Sequence, residues 1–203
     1  MKTVVDPTRT AVENALGDVR TVVTIGAYDG VHLGHRAVIA QVRERAKALG
    51  ATSVVVTFDR HPASVVRPES APKLLTDPAQ KLELLASTGI DATMVVPFGV
   101  AESHEAPSDF VQRVLVGALK MREVIVGEDF HFGYKRGGNV ALYDRIAVDT
   151  LYFTVHHVAM HSDLPWRTFD FPALACNLVQ STAIDLECRH HRRNLRDLTH
   201  KES

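Results

Sequence analysis

The stretch Thr21-Val22-Val23-Thr24-Ile25-Gly26-Ala27-Tyr28-Asp29-Gly30-Val31-His32-Leu33-Gly34-His35 joins a β-branched apolar run to the start of a helix through a glycine-containing turn. β-Branched residues fit a buried, pleated strand, and Gly26 ends the run at once. From about Gly34 to Leu49, the residues Val38, Ile39, Val42, Ala46 and Leu49 recur at helical spacing, which predicts a helix with one apolar face closed by Gly50. Strand, turn and helix start together bring free amides and the positive end of a helix dipole to one place, and phosphate suits such a place. His32 and His35 can project from one turn and donate hydrogen bonds to phosphate oxygens, more strongly as negative charge builds in a transition state. An H-x-x-H pair can also bind metal; the preceding glycines favour the phosphate reading.

The same alternation continues along the chain. Ser53 to Phe58 reads as a second buried strand ending in Asp59-Arg60-His61-Pro62, and Asp77-Pro78 opens a helix with Leu82 and Leu85 on its inner face. Ala92 to Pro97 forms a third strand. Pro107-Ser108 leads a helix that carries Phe110, Val111, Val114, Leu115 and Ala118 on one side, and Glu123 to Val126 forms a fourth strand. Strands alternating with helical crossovers predict an α/β fold, a doubly wound parallel sheet with its ligands at the carboxyl ends of the strands. Leu151 to Val155 is a candidate fifth strand; from His156 onward no period is sustained.

Composition narrows the function classes. The 203 residues, 45% apolar, suffice for one substantial core. With 23 Lys+Arg against 24 Asp+Glu, the net charge of −1 provides no global field for nucleic acid or an anionic membrane, so neither is expected as a partner. The first residues lack a signal-peptide core and no apolar run is long enough to span a bilayer. Cys176 and Cys188 form no C-x-x-C pair, which fits a reducing cytoplasm.

Three stretches, each at the carboxyl end of an expected strand, carry a resemblance. Gly26 to His35 resembles the G-x-F-D-G-V-H-x-G-H signature of FAD synthetases, with Tyr28 in place of Phe. Thr57-Phe58-Asp59-Arg60-His61-Pro62 with Leu75-Thr76 resembles the family's T-F-x-x-H-P and L-T, and Val126 to Gly133 resembles its V-G-x-D-F-x-F-G. The family is the FMN adenylyltransferase part of bacterial bifunctional riboflavin kinase/FAD synthetases, within the HxGH nucleotidyltransferases. The resemblance implies a Rossmann-like fold and adenylyl transfer from ATP to FMN with Mg2+. It implies catalytic roles for His32 and His35, and nucleotide binding by Gly26, Tyr28, Asp29, Gly30 and Gly34. Phe58, His61, Pro62, Asp129 and Phe132 are implied at the flavin, with Asp129 on its phosphate side or at magnesium. Gly133-Tyr134-Lys135-Arg136-Gly137-Gly138 adds a basic loop near that rim.

The resemblance covers roughly residues 20 to 147. Residues 1–147 are therefore expected as the nucleotidyltransferase domain and 148–203 as a divergent, partly disordered segment. FAD synthetases close the site with S-S-T-x-x-R, for which the one counterpart is Gln180-Ser181-Thr182-Ala183-Ile184-Asp185, with Asp185 where the family has Arg. Most members continue into a riboflavin kinase domain, which is not expected within these 203 residues. His156, His157, His161, His190 and His191 match no common zinc spacing, and the basic run Arg189 to Arg196 reads as a solvated end. The alternatives to FMN adenylylation are a non-catalytic nucleotide or flavin binder and a nucleotidyltransferase with another phosphorylated acceptor.

Overall fold

A computed structural model of the chain describes residues 1–127, 130–150 and 153–158. All of them lie in one compact unit, Met1–Met160. Asp129, the Ser181–Thr182 segment and the basic run after Arg189 lie outside the described residues, as do His161, His190 and His191.

The main sheet has six strands, all parallel, in the order β1-β4-β3-β2-β5-β8. They are β1 (Lys2–Val4), β2 (Thr21–Ile25), β3 (Thr52–Phe58), β4 (Ala92–Val96), β5 (Met121–Gly127) and β8 (Thr154–Val158); a separate antiparallel pair comprises β6 (His131–Phe132) and β7 (Gly138–Asn139). The helices are α1 (Arg9–Leu16), α2 (Leu33–Leu49), α3 (Pro62–Val66), α4 (Pro78–Ser87), α5 (Val100–Ser103), α6 (Pro107–Phe110), continued by a π-helical stretch Val111–Ala118, and α7 (Val140–Thr150). Among the described residues no helix is long and apolar enough to cross a membrane.

The four expected strands of the sheet are all present and central or next to central. Every residue of β2 is buried, because helices cover both faces. One face packs Val22, Val55 and Ile125 against Val38, Ile39, Val42 and Ala46 of α2 and Leu85 of α4. The other packs Val23, Val54, Val56 and Val124 against Val12 of α1, the apolar stripe Phe110, Val111, Val114, Leu115 and Ala118, and Tyr143 of α7. Those five stripe residues are the ones that helical spacing selects, although the backbone from Val111 onward is π rather than α.

Two strands depart from the sequence reading. β1 is not foreseen: it has three residues, only Val4 is buried, and its alignment comes from pairing with β4 at the sheet edge. Of the expected fifth strand, Leu151 and Tyr152 lie outside the described residues; the strand β8 begins at Thr154 and runs past Val155 through His156 and His157 to Val158. A histidine pair interrupts the apolar pattern but not the pairing, since His156 Nε2 lies 3.2 Å from the buried Glu123 carboxylate. The sheet therefore extends past residue 147.

The topology itself points to a site. From β2 the chain builds outward through β3 and β4 on one side, and then β5 returns to the other side of β2. At such a reversal the flanking connections diverge and leave a crevice beyond the carboxyl end of the central strand. The turn between β2 and α2 occupies that position.

Candidate functional site

Between Ile25 and Leu33 the backbone turns sharply. Tyr28, Gly30 and Val31 all have positive φ, at 51°, 68° and 37°. Positive φ is ordinary for glycine, but a β-branched residue there costs on the order of 1–3 kcal/mol and persists only when its surroundings impose it. The surroundings are visible. The Val31 side chain is buried, and the Tyr28 ring is buried with its hydroxyl 2.7 Å from Thr24 Oγ1. Gly26 lets that ring fold back, since a Cβ at this position would lie 3.1 Å from Tyr28 Cε2.

His32 caps α2, with Nδ1 accepting from the His35 amide at 3.4 Å. The two imidazoles stack with centroids 3.6 Å apart, and Tyr28 lies 4.7 Å from His35 on its other side. Burial, followed by the neighbouring His32, pushes the His35 pKa down to about 4, despite opposition from Asp29. His35 is thus neutral at pH 7 and acts as a hydrogen-bonding dipole, not a fixed cation. Its Nδ1 is buried without a hydrogen-bond partner among the described residues. With Gly34 buried in the first turn of α2, the imidazoles share their position with the free amides of a 17-residue helix.

Asp29 is engaged within the chain. Its carboxylate accepts from Leu75 N (2.8 Å), Thr76 N (3.0 Å) and Thr76 Oγ1 (2.7 Å). Desolvation pushes its pKa up, but these hydrogen bonds, with His61 nearby, outweigh it and hold the carboxyl below the usual carboxylate range. Gly30 N donates to Thr76 Oγ1 at 3.2 Å.

Beside this turn two recesses share the ends of β2 and β3. One is an apolar cleft lined by Ile25, Phe58, Val96, Pro97, Phe98, Phe110 and Phe132, together with Glu102, Glu105 and Gly133. Phe58 meets Phe98 edge to face at 5.3 Å, and Phe132 stacks with Phe130 and Tyr143 at 5.5 and 4.8 Å. The other recess is polar, lined by Ala27, Asp29, Asp59, Arg60, His61, Leu74, Thr76, Pro78 and Lys81. Lys81 Nζ donates to Phe58 O at 2.7 Å, and its pKa is lowered by burial against the pull of Asp29 and Asp59.

The expected residues therefore divide. Gly26, Tyr28, Asp29, Gly30, His32, Gly34 and His35 form one continuous turn; Phe58 and Phe132 meet in the apolar cleft. His61 lines the polar recess and caps α3 through Nδ1, which accepts from Ala63 N at 3.1 Å. Pro62 forms the first residue of α3 and is not part of the apolar lining. Phe98, Thr76 and Lys81 are additions. Phe98 follows a strand with nothing in its local pattern to mark it, and Lys81 reads in sequence as a solvated helix charge. Thr76 carries the one available signal, the L-T pair.

The sequence model of the FAD synthetase family matches residues 16–164. The chain belongs to the FAD synthetase family. Among curated relatives, a bifunctional riboflavin kinase/FMN adenylyltransferase of Pseudomonas fluorescens is 40% identical over 118 residues, 58% of this chain and 38% of that protein. A putative protein of the same description from Geobacillus thermodenitrificans is 40% identical over 125 residues, 62% of this chain and 67% of the relative. The Escherichia coli K12 protein is 32% identical over 128 residues, covering 63% and 41%. The chain thus matches about two fifths of the length of most of these relatives. In fold it is similar to a crystal structure described as a macrolide-efflux protein from Streptococcus pneumoniae (TM-score 0.64, 19% identity, 80% of this chain and 52% of that one). A pantoate-beta-alanine ligase from Francisella tularensis gives a TM-score of 0.50 at 14% identity, covering 80% and 69%. At these identities the likeness concerns the α/β fold alone.

Proposed function

We propose that this FAD synthetase family chain transfers the adenylyl group of ATP to FMN, forming FAD and releasing pyrophosphate. The observation that carries the reading is a phosphate-type turn with two stacked imidazoles at the sheet's reversal point, directly beside an aromatic cleft sized by four phenylalanines. The curated relatives named above bear FMN adenylyltransferase in their descriptions, which supports the same chemistry.

The reaction asks little of a base. A phosphate monoester with a second pKa near 6 is mostly dianionic at neutral pH, so an FMN oxygen can attack the α-phosphorus of ATP in line. The new P–O bond forms as the bond to pyrophosphate breaks, and the electron pair leaves with pyrophosphate. Catalysis then consists of positioning and charge stabilisation. His32, His35 and the first amides of α2 donate to the ATP phosphates. Phe58, Phe98 and Phe132 hold the flavin ring by stacking and burial, and a mostly apolar lining whose Glu105 is paired with Arg113 and whose Glu102 accepts from Gly99 N suits the ring and not the phosphate end. The ring therefore enters first and leaves the FMN phosphate toward the turn.

Magnesium enters with ATP as part of the substrate. Of the carboxylates near the turn, Asp29 accepts three hydrogen bonds and Asp59 accepts from Phe98 N at 2.8 Å while pairing with Arg60. Among the described residues no group of three or more His, Cys, Asp or Glu is gathered as a cage for a metal ion. The proposed setting is the cytoplasm.

The direct test incubates purified protein with FMN, ATP and magnesium and resolves flavins by chromatography. FAD and pyrophosphate should appear in equal amounts; FMN and ATP that bind without forming FAD would replace this reading with a binding protein. A different phosphorylated acceptor that outcompetes FMN would redirect it within the superfamily.

A further inference from the structure

We propose that Thr76 is a positioning residue for the phosphate turn, acting through Asp29 and Gly30 and touching no substrate itself. The turn holds three positive-φ residues within four positions, one of them the β-branched Val31. Such a backbone does not keep its shape unaided. Of the bonds that hold it from outside, one hydroxyl makes two, since Thr76 Oγ1 donates to Asp29 Oδ1 at 2.7 Å and accepts from Gly30 N at 3.2 Å, while Thr57 Oγ1 and Arg36 Nε reach only the carbonyls of Ala27 and Val31 at 3.0 and 3.2 Å. The amides of Leu75 and Thr76 complete the link at 2.8 and 3.0 Å, and Leu75 closes over Gly30, where a Cβ would come within 2.9 Å of Leu75 Cδ1.

The link spans 46 to 47 residues of chain, so local sequence does not impose it. Its far end is firmly seated. Thr76 precedes Asp77, which caps α4 in a reciprocal capping box with Gln80; α4 buries Leu85 completely and ties Lys81 to Phe58 O. The turn therefore takes its shape from a fixed helix start, and Asp29 uses its carboxylate on that attachment. Catalytic geometry depends on the attachment because displacing the turn moves His32 and His35 relative to the α-phosphorus. This inference rests on the proposed reading of the turn as the phosphate site.

The test compares Thr76→Val, which removes both hydrogen bonds at nearly constant volume, with Thr76→Ser, which keeps both. Thr76→Val should lower kcat/KM for ATP by about tenfold or more, while FMN affinity stays within about twofold of wild type. Thr76→Ser should restore most of the loss. Hydrogen exchange over the peptide Ala27–His32 needs no turnover and should rise by about tenfold in Thr76→Val alone. Wild-type kinetics and exchange in Thr76→Val would overturn the proposal, as would a Thr76→Ser variant as impaired as Thr76→Val. Absence of FAD formation by the wild type would count against the functional reading only, since the exchange comparison still decides the role of Thr76.

Discussion

Among single residues, His35 matters most because it is neutral at pH 7. Its pKa of about 4 follows first from burial and then from the stacked His32. A bound triphosphate adds negative charge to that of Asp29, so the pKa should rise on binding. ATP binding at pH 5 to 6 should therefore take up protons, while binding near pH 8 should not. Calorimetry in buffers of different ionisation enthalpy measures this, and pH-independent proton uptake would contradict it. The free protein carries the converse. A histidine whose folded pKa is depressed stabilises the fold fully above its ordinary value of 6.5 and loses that contribution as pH falls toward 4. His32 and His35 were legible in sequence because the H-x-G-H spacing and the preceding glycines are local. The commitment of Asp29 to Leu75 and Thr76 was not legible, because its partners come from a loop 46 residues away.

At the scale of elements, β5 is joined to its neighbours by charge as well as by its ladder. Glu123 is buried and accepts two hydrogen bonds from Arg45 of α2, at 2.8 and 2.5 Å, with His156 of β8 at 3.2 Å. Burial pushes its pKa up, but the hydrogen bonds from Arg45, with His156 close by, outweigh this and bring it down to about 2. Its contribution to stability is therefore complete above the ordinary 4.5 and is lost as pH falls from there toward 2. Glu123→Gln should destabilise the fold by about 1–3 kcal/mol in urea unfolding at pH 7 and flatten the acid limb of the stability profile. α7 offers the opposite case. The Tyr143 ring is fully buried among Phe130, Phe132 and Phe153, and its hydroxyl has no hydrogen-bond partner among the described residues. Tyr143→Phe should be neutral or stabilise by about 1 kcal/mol, since it removes a desolvated hydroxyl without opening a cavity. Elements with a long apolar stripe, such as α2, could be read directly from spacing. β1 and β8 could not: one is a three-residue edge strand, and the other owes its acceptance of His156 to a carboxylate on the adjacent strand.

At the scale of the whole molecule, function follows from where the strand order reverses. β2 sits between β3 and β5, and the turn that leaves it carries the histidines, while the ends of β2, β3 and β4 supply the aromatic wall. The rim position of the motifs was foreseeable from strand–helix alternation, since each followed an apolar run. Strand order was not, because it is set by which helix faces can be covered, and single-chain periodicity carries no pairing information. The two recesses should therefore separate in their effects. Phe58→Ala should weaken FMN binding by about 1–3 kcal/mol, roughly tenfold to a hundredfold in Kd, with ATP binding little changed. Titrations with each ligand alone check this.

The most direct test is a crystal structure with MgATP bound. The triphosphate should lie against His32, His35 and the first-turn amides of α2, with the α-phosphorus facing the aromatic cleft. A triphosphate held elsewhere, with the β2–α2 turn empty and its histidines still stacked away from any ligand, would contradict it.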